Sequence, residues 1–123
     1  MPWHVTYVES EKTVLITNSG DLTYEDFVSE AEEAVALMQQ HQTSLCLVDD
    51  RDYNHPAKIA DLYRIVDVYE SFGVSKTERV ALLFSPENPF MDDFKFFETV
   101  CRNRGFNFKI FFDEIEAKNW LKE

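Results

Sequence analysis

A chain of 123 residues, 45% of them hydrophobic, is long enough to bury a core of its own, so residues 1–123 are read as one folded domain and disorder is set aside. The net charge of −11, from 23 acids against 12 bases, repels a phosphate backbone and an anionic membrane surface, which argues against nucleic acid as a partner. No segment approaches the ~20 apolar residues of a membrane span, and Met1 to Tyr7 offers neither a basic leader nor an apolar run; the expectation is a cytoplasmic protein that is not integral to a membrane.

Trp3 to Val8 alternates Trp3, Val5 and Tyr7 against His4, Thr6 and Val8, and Lys12 to Thr17 carries Val14, Leu15 and Ile16, so two antiparallel strands open the fold around a turn at Glu9-Ser10-Glu11. Asn18-Ser19-Gly20-Asp21 closes the second strand. Thr23 with Asp26 three residues later forms a capping box, and Tyr24, Phe27, Val28, Ala31, Val35 and Met38 follow helical spacing to an end near Gln40 to Gln42, with Glu25, Glu32 and Glu33 turned to water. Leu45 to Val48 is the third strand, followed by an acidic turn, Asp49-Asp50-Arg51-Asp52-Tyr53-Asn54-His55. Pro56 then opens a second helix that runs to about Phe72 and stops at Gly73.

The pattern repeats with a strand from Arg79 to Phe84 and a helix capped by Asn88, opened by Pro89 and running to Arg104 before Gly105. Phe106 to Phe112 is the last strand, and Asp113 with Glu116 caps a short helix marked by Ile115, Ala117, Trp120 and Leu121. The order ββαβαβαβα predicts an α/β domain with a five-stranded, mixed but mainly parallel sheet and about four helices, the first hairpin supplying the antiparallel edge. Cys46 falls within a strand and Cys101 within a helix stripe, as buried thiols do.

Chemistry is sought in the acidic segment, because ligands of open α/β sheets sit where strands end. Asp50-x-Asp52-x-Asn54 copies the first three ligand positions of a calcium loop and Asp61 falls at the twelfth, but His55 stands where the loop needs glycine and the residues before it read as a strand. Asp50 and Asp52, with Asp49, are candidates for a looser Mg²⁺ or Mn²⁺ site; the alternative is a solvated turn whose carboxylates cap backbone N–H groups. His55 beside Asp52 has the elements of a general base with an orienting carboxylate. The Val48-Asp49-Asp50 pair is receiver-like, yet too few strands follow for a receiver domain. There is no glycine-rich phosphate loop, no nucleophile elbow and no zinc-like spacing of His4, His41 and His55, so no catalytic residue, metal or cofactor is assigned.

The second helix carries two apolar stripes, Ile59, Leu62, Tyr63 and Val66 on one flank and Ile65, Val68, Tyr69 and Phe72 on another. One can face the sheet and the other needs a second cover: a neighbouring helix, a partner protein, a second copy of the chain or an apolar small ligand. Phe96 and Met91 of the third helix could extend such a patch.

The opening hairpin, the strand ending at Asp49, Arg79-Val80-Ala81-Leu82-Leu83, and the ending Phe111-Phe112-Asp113 with Ala117, Trp120 and Leu121 together resemble the bacterial SpoIIAA-like group, small relatives of the STAS anti-sigma-factor antagonists that are also likened to CRAL-TRIO lipid-binding domains. The resemblance implies a STAS-like sheet and a function based on binding. The phosphorylatable serine of STAS antagonists would fall near Ala57 to Ile59, but no Ser or Thr occurs between Asp50 and Arg64, so neither that phosphoswitch nor a kinase-like partner is carried over. The expected function is a noncatalytic binding or regulatory module whose contact residues are Asp49, Asp50, Asp52, Tyr53, His55, Ile65, Val68, Tyr69 and Phe72. A metal-dependent protein using the Asp49 to His55 cluster and a lipid carrier with an internal cavity are the alternatives.

Overall fold

The computed structural model describes residues 2–53 and 59–123. The elements follow the expected order: β1 (Trp3–Val8), β2 (Thr13–Ser19), α1 (Tyr24–Gln40), β3 (Leu45–Asp52), α2 (Ile59–Ser71), β4 (Arg79–Leu83), α3 (Met91–Asn103), β5 (Asn107–Phe111) and α4 (Glu114–Leu121). The five strands lie in the spatial order β1-β2-β3-β4-β5, with β1 antiparallel to β2 and every later pair parallel. Right-handed crossovers that always step in one direction put their helices on one face of a sheet. Residues of α1, α2 and α3 accordingly share one core with Cys46, Val48, Val80 and Leu82. Residues of α4 pack with Leu47, Ala81, Leu83 and Phe111, the side chains that alternate to the other face.

Local signals account for most boundaries. The Thr23 hydroxyl accepts from the Asp26 N–H at 3.1 Å while the Asp26 carboxylate accepts from the Thr23 N–H at 2.9 Å, completing the predicted box. Gly73, at φ +73°, lets the chain leave α2 as Val74 donates back to the Tyr69 carbonyl at 3.0 Å. The hairpin turn is a 3₁₀ turn over Glu9–Glu11 that closes with Lys12 in the left-handed region.

Other boundaries differ from the sequence reading. Asp49 to Asp52 extend β3 and are not a solvated turn after it: Ser19 pairs with Asp52, and the Asp49 and Asp50 carboxylates find partners on the strand itself and on β2. α3 begins at Met91 instead of Pro89, because Asn88 takes the Phe90 N–H at 2.8 Å in a side-chain turn of its own and donates its amide to the Tyr53 carbonyl at 3.0 Å. Asp113 caps α4 by accepting from the Ile115 N–H at 3.0 Å, without a reciprocal bond from Glu116. The predicted start of the second helix at Pro56 lies outside the described residues, as does His55.

Candidate functional site

The site begins with alternation in β2. Val14, Ile16 and Asn18 point to the same face, so the strand that delivers two apolar side chains to the core delivers an amide at its end, and Asn18 is 1% exposed. Opposite it the ladder slips: Thr17 pairs with Asp49 and Ser19 with Asp52, leaving Asn18 to face two residues, Asp50 and Arg51. Asp50 continues the alternation of Cys46 and Val48 and so faces the core, where it is 7% exposed, while the bulge takes up the extra residue beside it. From α1, Glu30 enters the same space, one turn beyond Phe27 and one before Ala34 on the buried face of the helix. The Asn18 amide donates to Asp50 Oδ1 at 2.8 Å and to Glu30 Oε1 at 3.4 Å. Among the described residues Asn18 Oδ1 and Glu30 Oε2 are buried with no hydrogen-bond partner.

These three side chains close one end of a cavity of about 100 Å³ between the sheet and α1, α2 and α3. The rest of its wall is largely apolar, with Phe27, Ala34, Val48, Leu82, Phe94 and Phe108 among its lining. The lining reaches from Asn18 and Asp50 at the C-terminal ends of β2 and β3 back past Cys46 to Val74 and Glu78 ahead of β4. Asp50 lies four residue steps along the strand from Cys46, a run of roughly 13 Å. Leaving that volume unfilled by side chains costs the fold about 2 kcal/mol at the ~24 cal/mol per Å³ typical of core cavities.

Two carboxyls in such a wall are hard to ionise together. Burial pushes Glu30 from an ordinary 4.5 up to about 8, with Asp50 and Asp26 adding to the effect and the Asn18 bond opposing it. Burial likewise pushes Asp50 from 3.8 up to about 7, against the Asn18 bond and with the help of Asp49. Burial raises the Tyr53 and Tyr69 hydroxyls and the Cys46 thiol, so none of them supplies a nucleophile at neutral pH.

The residues singled out from the sequence are dispersed by the fold. Asp50, Tyr53, Ile65 and Tyr69 meet on the cavity wall. Tyr53 is 3% exposed, its ring against Phe27 and Phe94 and its N–H donated to the Asp50 carbonyl at 3.1 Å. Asp49 points the other way, toward α4, where its carboxylate accepts from Arg51 at 3.0 and 2.8 Å and Arg51 reaches on to Glu114 at 3.2 Å. Burial raises Asp49 but the Arg51 bonds prevail and hold it below its usual range. Asp52 is exposed. Val68 and Phe72 are half-buried and lie off the cavity, while Tyr69 packs on Phe97, Phe106 and Phe108. Much of the second apolar stripe of α2 is therefore covered within the molecule.

Asn18 and Glu30 were not among the expected site residues. Both carried a signal: a polar residue in register with Val14 and Ile16, and an acid three residues from Phe27 and four from Ala34 on the apolar face of a helix. Among the described residues no group of three or more His, Cys, Asp or Glu is placed to hold a metal ion. No helix among them is long and apolar enough to cross a membrane. Comparison of the chain with models of known protein families, with curated proteins and with solved structures gives no match.

Proposed function

We propose that the protein is a noncatalytic binding module that takes a small, largely apolar ligand into the cavity between the sheet and α1 to α3, with the ligand's polar head at Asn18, Glu30 and Asp50. The observation that carries this reading is the apolar cavity wall ending on two buried, unpartnered polar atoms, Asn18 Oδ1 and Glu30 Oε2. Small-molecule sites have this composition: a mostly apolar wall with a few convergent polar groups that set orientation. A buried polar atom without a partner costs about 1–3 kcal/mol, a cost that a ligand head can relieve. The carrier activity expected from the CRAL-TRIO likeness of SpoIIAA-like domains belongs to the same reading, with a tail far shorter than a full lipid chain.

Thermal denaturation in 1-hexanol tests it. A ligand confined to the folded state stabilises by about 2.7 kcal/mol at one hundred times its Kd, so Tm rises with alcohol concentration along a saturating curve. In Ala34→Leu, which pushes a larger side chain into the cavity from a residue 5% exposed, that rise is lost. A Tm that falls in wild type, or rises equally in both proteins, removes the cavity as the binding site.

A protein contact on the outer surface of α2 and α3 is a second reading, favoured by Tyr63 and Phe96, which are 43% and 38% exposed and meet edge to face at 5.9 Å. Sedimentation of wild type beside Tyr63→Ala/Phe96→Ala tests self-association there; a monomer at every concentration excludes the homodimer.

A further inference from the structure

Resting on the cavity reading above, we infer that the ligand is a primary amine with a short apolar chain, bound as its ammonium ion between Glu30, Asp50 and Asn18. The polar end of the cavity is unusual in what it offers. Asn18 spends its only donor group on the two carboxyls, and once a carboxyl proton is given up what remains toward the cavity is a set of oxygen acceptors, two of them unpartnered: Asn18 Oδ1 and Glu30 Oε2. An ammonium group carries three donors and no acceptor, and so answers this set in number and in kind. A hydroxyl brings one donor with lone pairs of its own, and a carboxylate brings only acceptors and a charge of the wrong sign.

Electrostatics favour the same head group. The charged residues that act on the pair are acids: Asp26 from α1 raises Glu30, and Asp49 from β3 raises Asp50. Among the described residues the other titratable groups lining the cavity with them are Cys46 from β3, Tyr53 beyond its end, Tyr69 from α2 and Glu78 ahead of β4, and each of these is neutral or an acid. A buried carboxyl without a cation keeps its proton, and an ammonium ion removes that penalty. Binding is then an exchange: the amine enters as R–NH₃⁺, one carboxyl proton leaves to the buffer, and the N–H groups take up acceptors on the carboxylate this leaves and on its oxygen neighbours. The net charge of the buried site is unchanged. The chain of the amine lies along Val48, Leu82 and Phe94, and the modest volume spread over the strand direction suits an unbranched tail.

Isothermal titration of the full chain with n-hexylamine, 1-hexanol and sodium hexanoate, three probes with one tail, tests the inference at about pH 7 in two buffers of different ionisation enthalpy. The expected result is hexylamine binding at least about tenfold tighter than hexanol, as charge-assisted hydrogen bonds exceed neutral ones, with hexanoate the weakest. Its apparent enthalpy differs between the buffers because a proton is released. In Glu30→Gln the hexylamine preference shrinks toward the hexanol level and proton release falls; if that variant does not fold, the buffer dependence in wild type carries the test alone. Methylamine, which has the charge without the tail, and Ala34→Leu, which has the carboxyls without the space, both lose binding. Hexanol or hexanoate binding as tightly as hexylamine, or hexylamine binding with no proton released, overturns the amine and leaves the cavity reading standing. No binding of any of the three, or equal binding by Ala34→Leu, overturns both.

Discussion

Glu30→Gln isolates the energetics of the buried pair, because it keeps the shape of the side chain and removes its proton. In the folded protein Glu30 is raised to about 8, against 4.5 for an ordinary glutamate. A carboxyl raised on folding holds its proton in the native state after the unfolded chain has given it up, so its contribution is fully present below about pH 4.5 and is lost as pH rises toward 8. Each pH unit inside that window costs the wild type about 1.4 kcal/mol through this one group. Other titrations are largely common to both proteins and cancel in the difference, apart from the relief of Asp50, which has the same sign. The variant therefore gains on the wild type by about 4 kcal/mol between pH 5 and 8, being close to it at the acid end and clearly more stable at the alkaline end. Urea unfolding at half-unit steps of pH, with free energies from linear extrapolation, measures that difference directly. Parallel stability curves for the two proteins across the window would refute the claim that Glu30 is buried and protonated.

Asn18→Ala removes the amide that donates to both carboxyls, at a cost of about 1–3 kcal/mol for the unpaired groups, and makes the loss of stability with rising pH deeper and carries it to higher pH, because the bond that favoured ionisation in the folded state is gone; urea titration across pH reads both effects. Arg51→Ala breaks an exposed network with Asp49 and Glu114, and is expected to change stability by under about 1 kcal/mol and to lose even that in high salt. Leu83→Ala, at a side chain 1% exposed in the core beneath α4, costs about 2–5 kcal/mol yet leaves hexanol and hexylamine affinity unchanged, since Leu83 faces away from the cavity.

Periodicity and capping made the fold legible. The spacing of Phe27, Ala31 and Met38, the Thr23–Asp26 box and Gly73 are local signals, and the structure forms each of them where they occur. The acidic segment misled because a run of aspartates after an apolar strand reads as a solvated turn. The chain instead continues β3, with Asp49 held by Arg51 on one face and Asp50 held by Asn18 on the other. Those partners lie two residues away on the same strand in one case and 32 residues earlier in the other. The first is within reach of a local reading; the second follows from the pairing of Val14 with Cys46 and Ile16 with Val48, a register between two strands that no local spacing rule encodes. Asn88 shows the same limit: it sits where a cap is expected, but spends its amide on the Tyr53 carbonyl 35 residues away and delays α3. The second stripe of α2 looked like a surface because its cover, the Phe97, Phe106 and Phe108 rings, comes from elements far along the chain.

The most direct test of the cavity as a ligand site is an isotope-filtered NOE experiment on the complex with ¹³C-labelled hexylamine or 1-hexanol, whichever binds tighter, read together with the carboxyl carbon shifts of Glu30 and Asp50. The expected result is contact between the probe's tail and the methyl groups of Val48, Val80 and Leu82, with both carboxyl carbons moving as the probe saturates. Contacts confined to surface residues, with the two carboxyl carbons unmoved, would contradict the account.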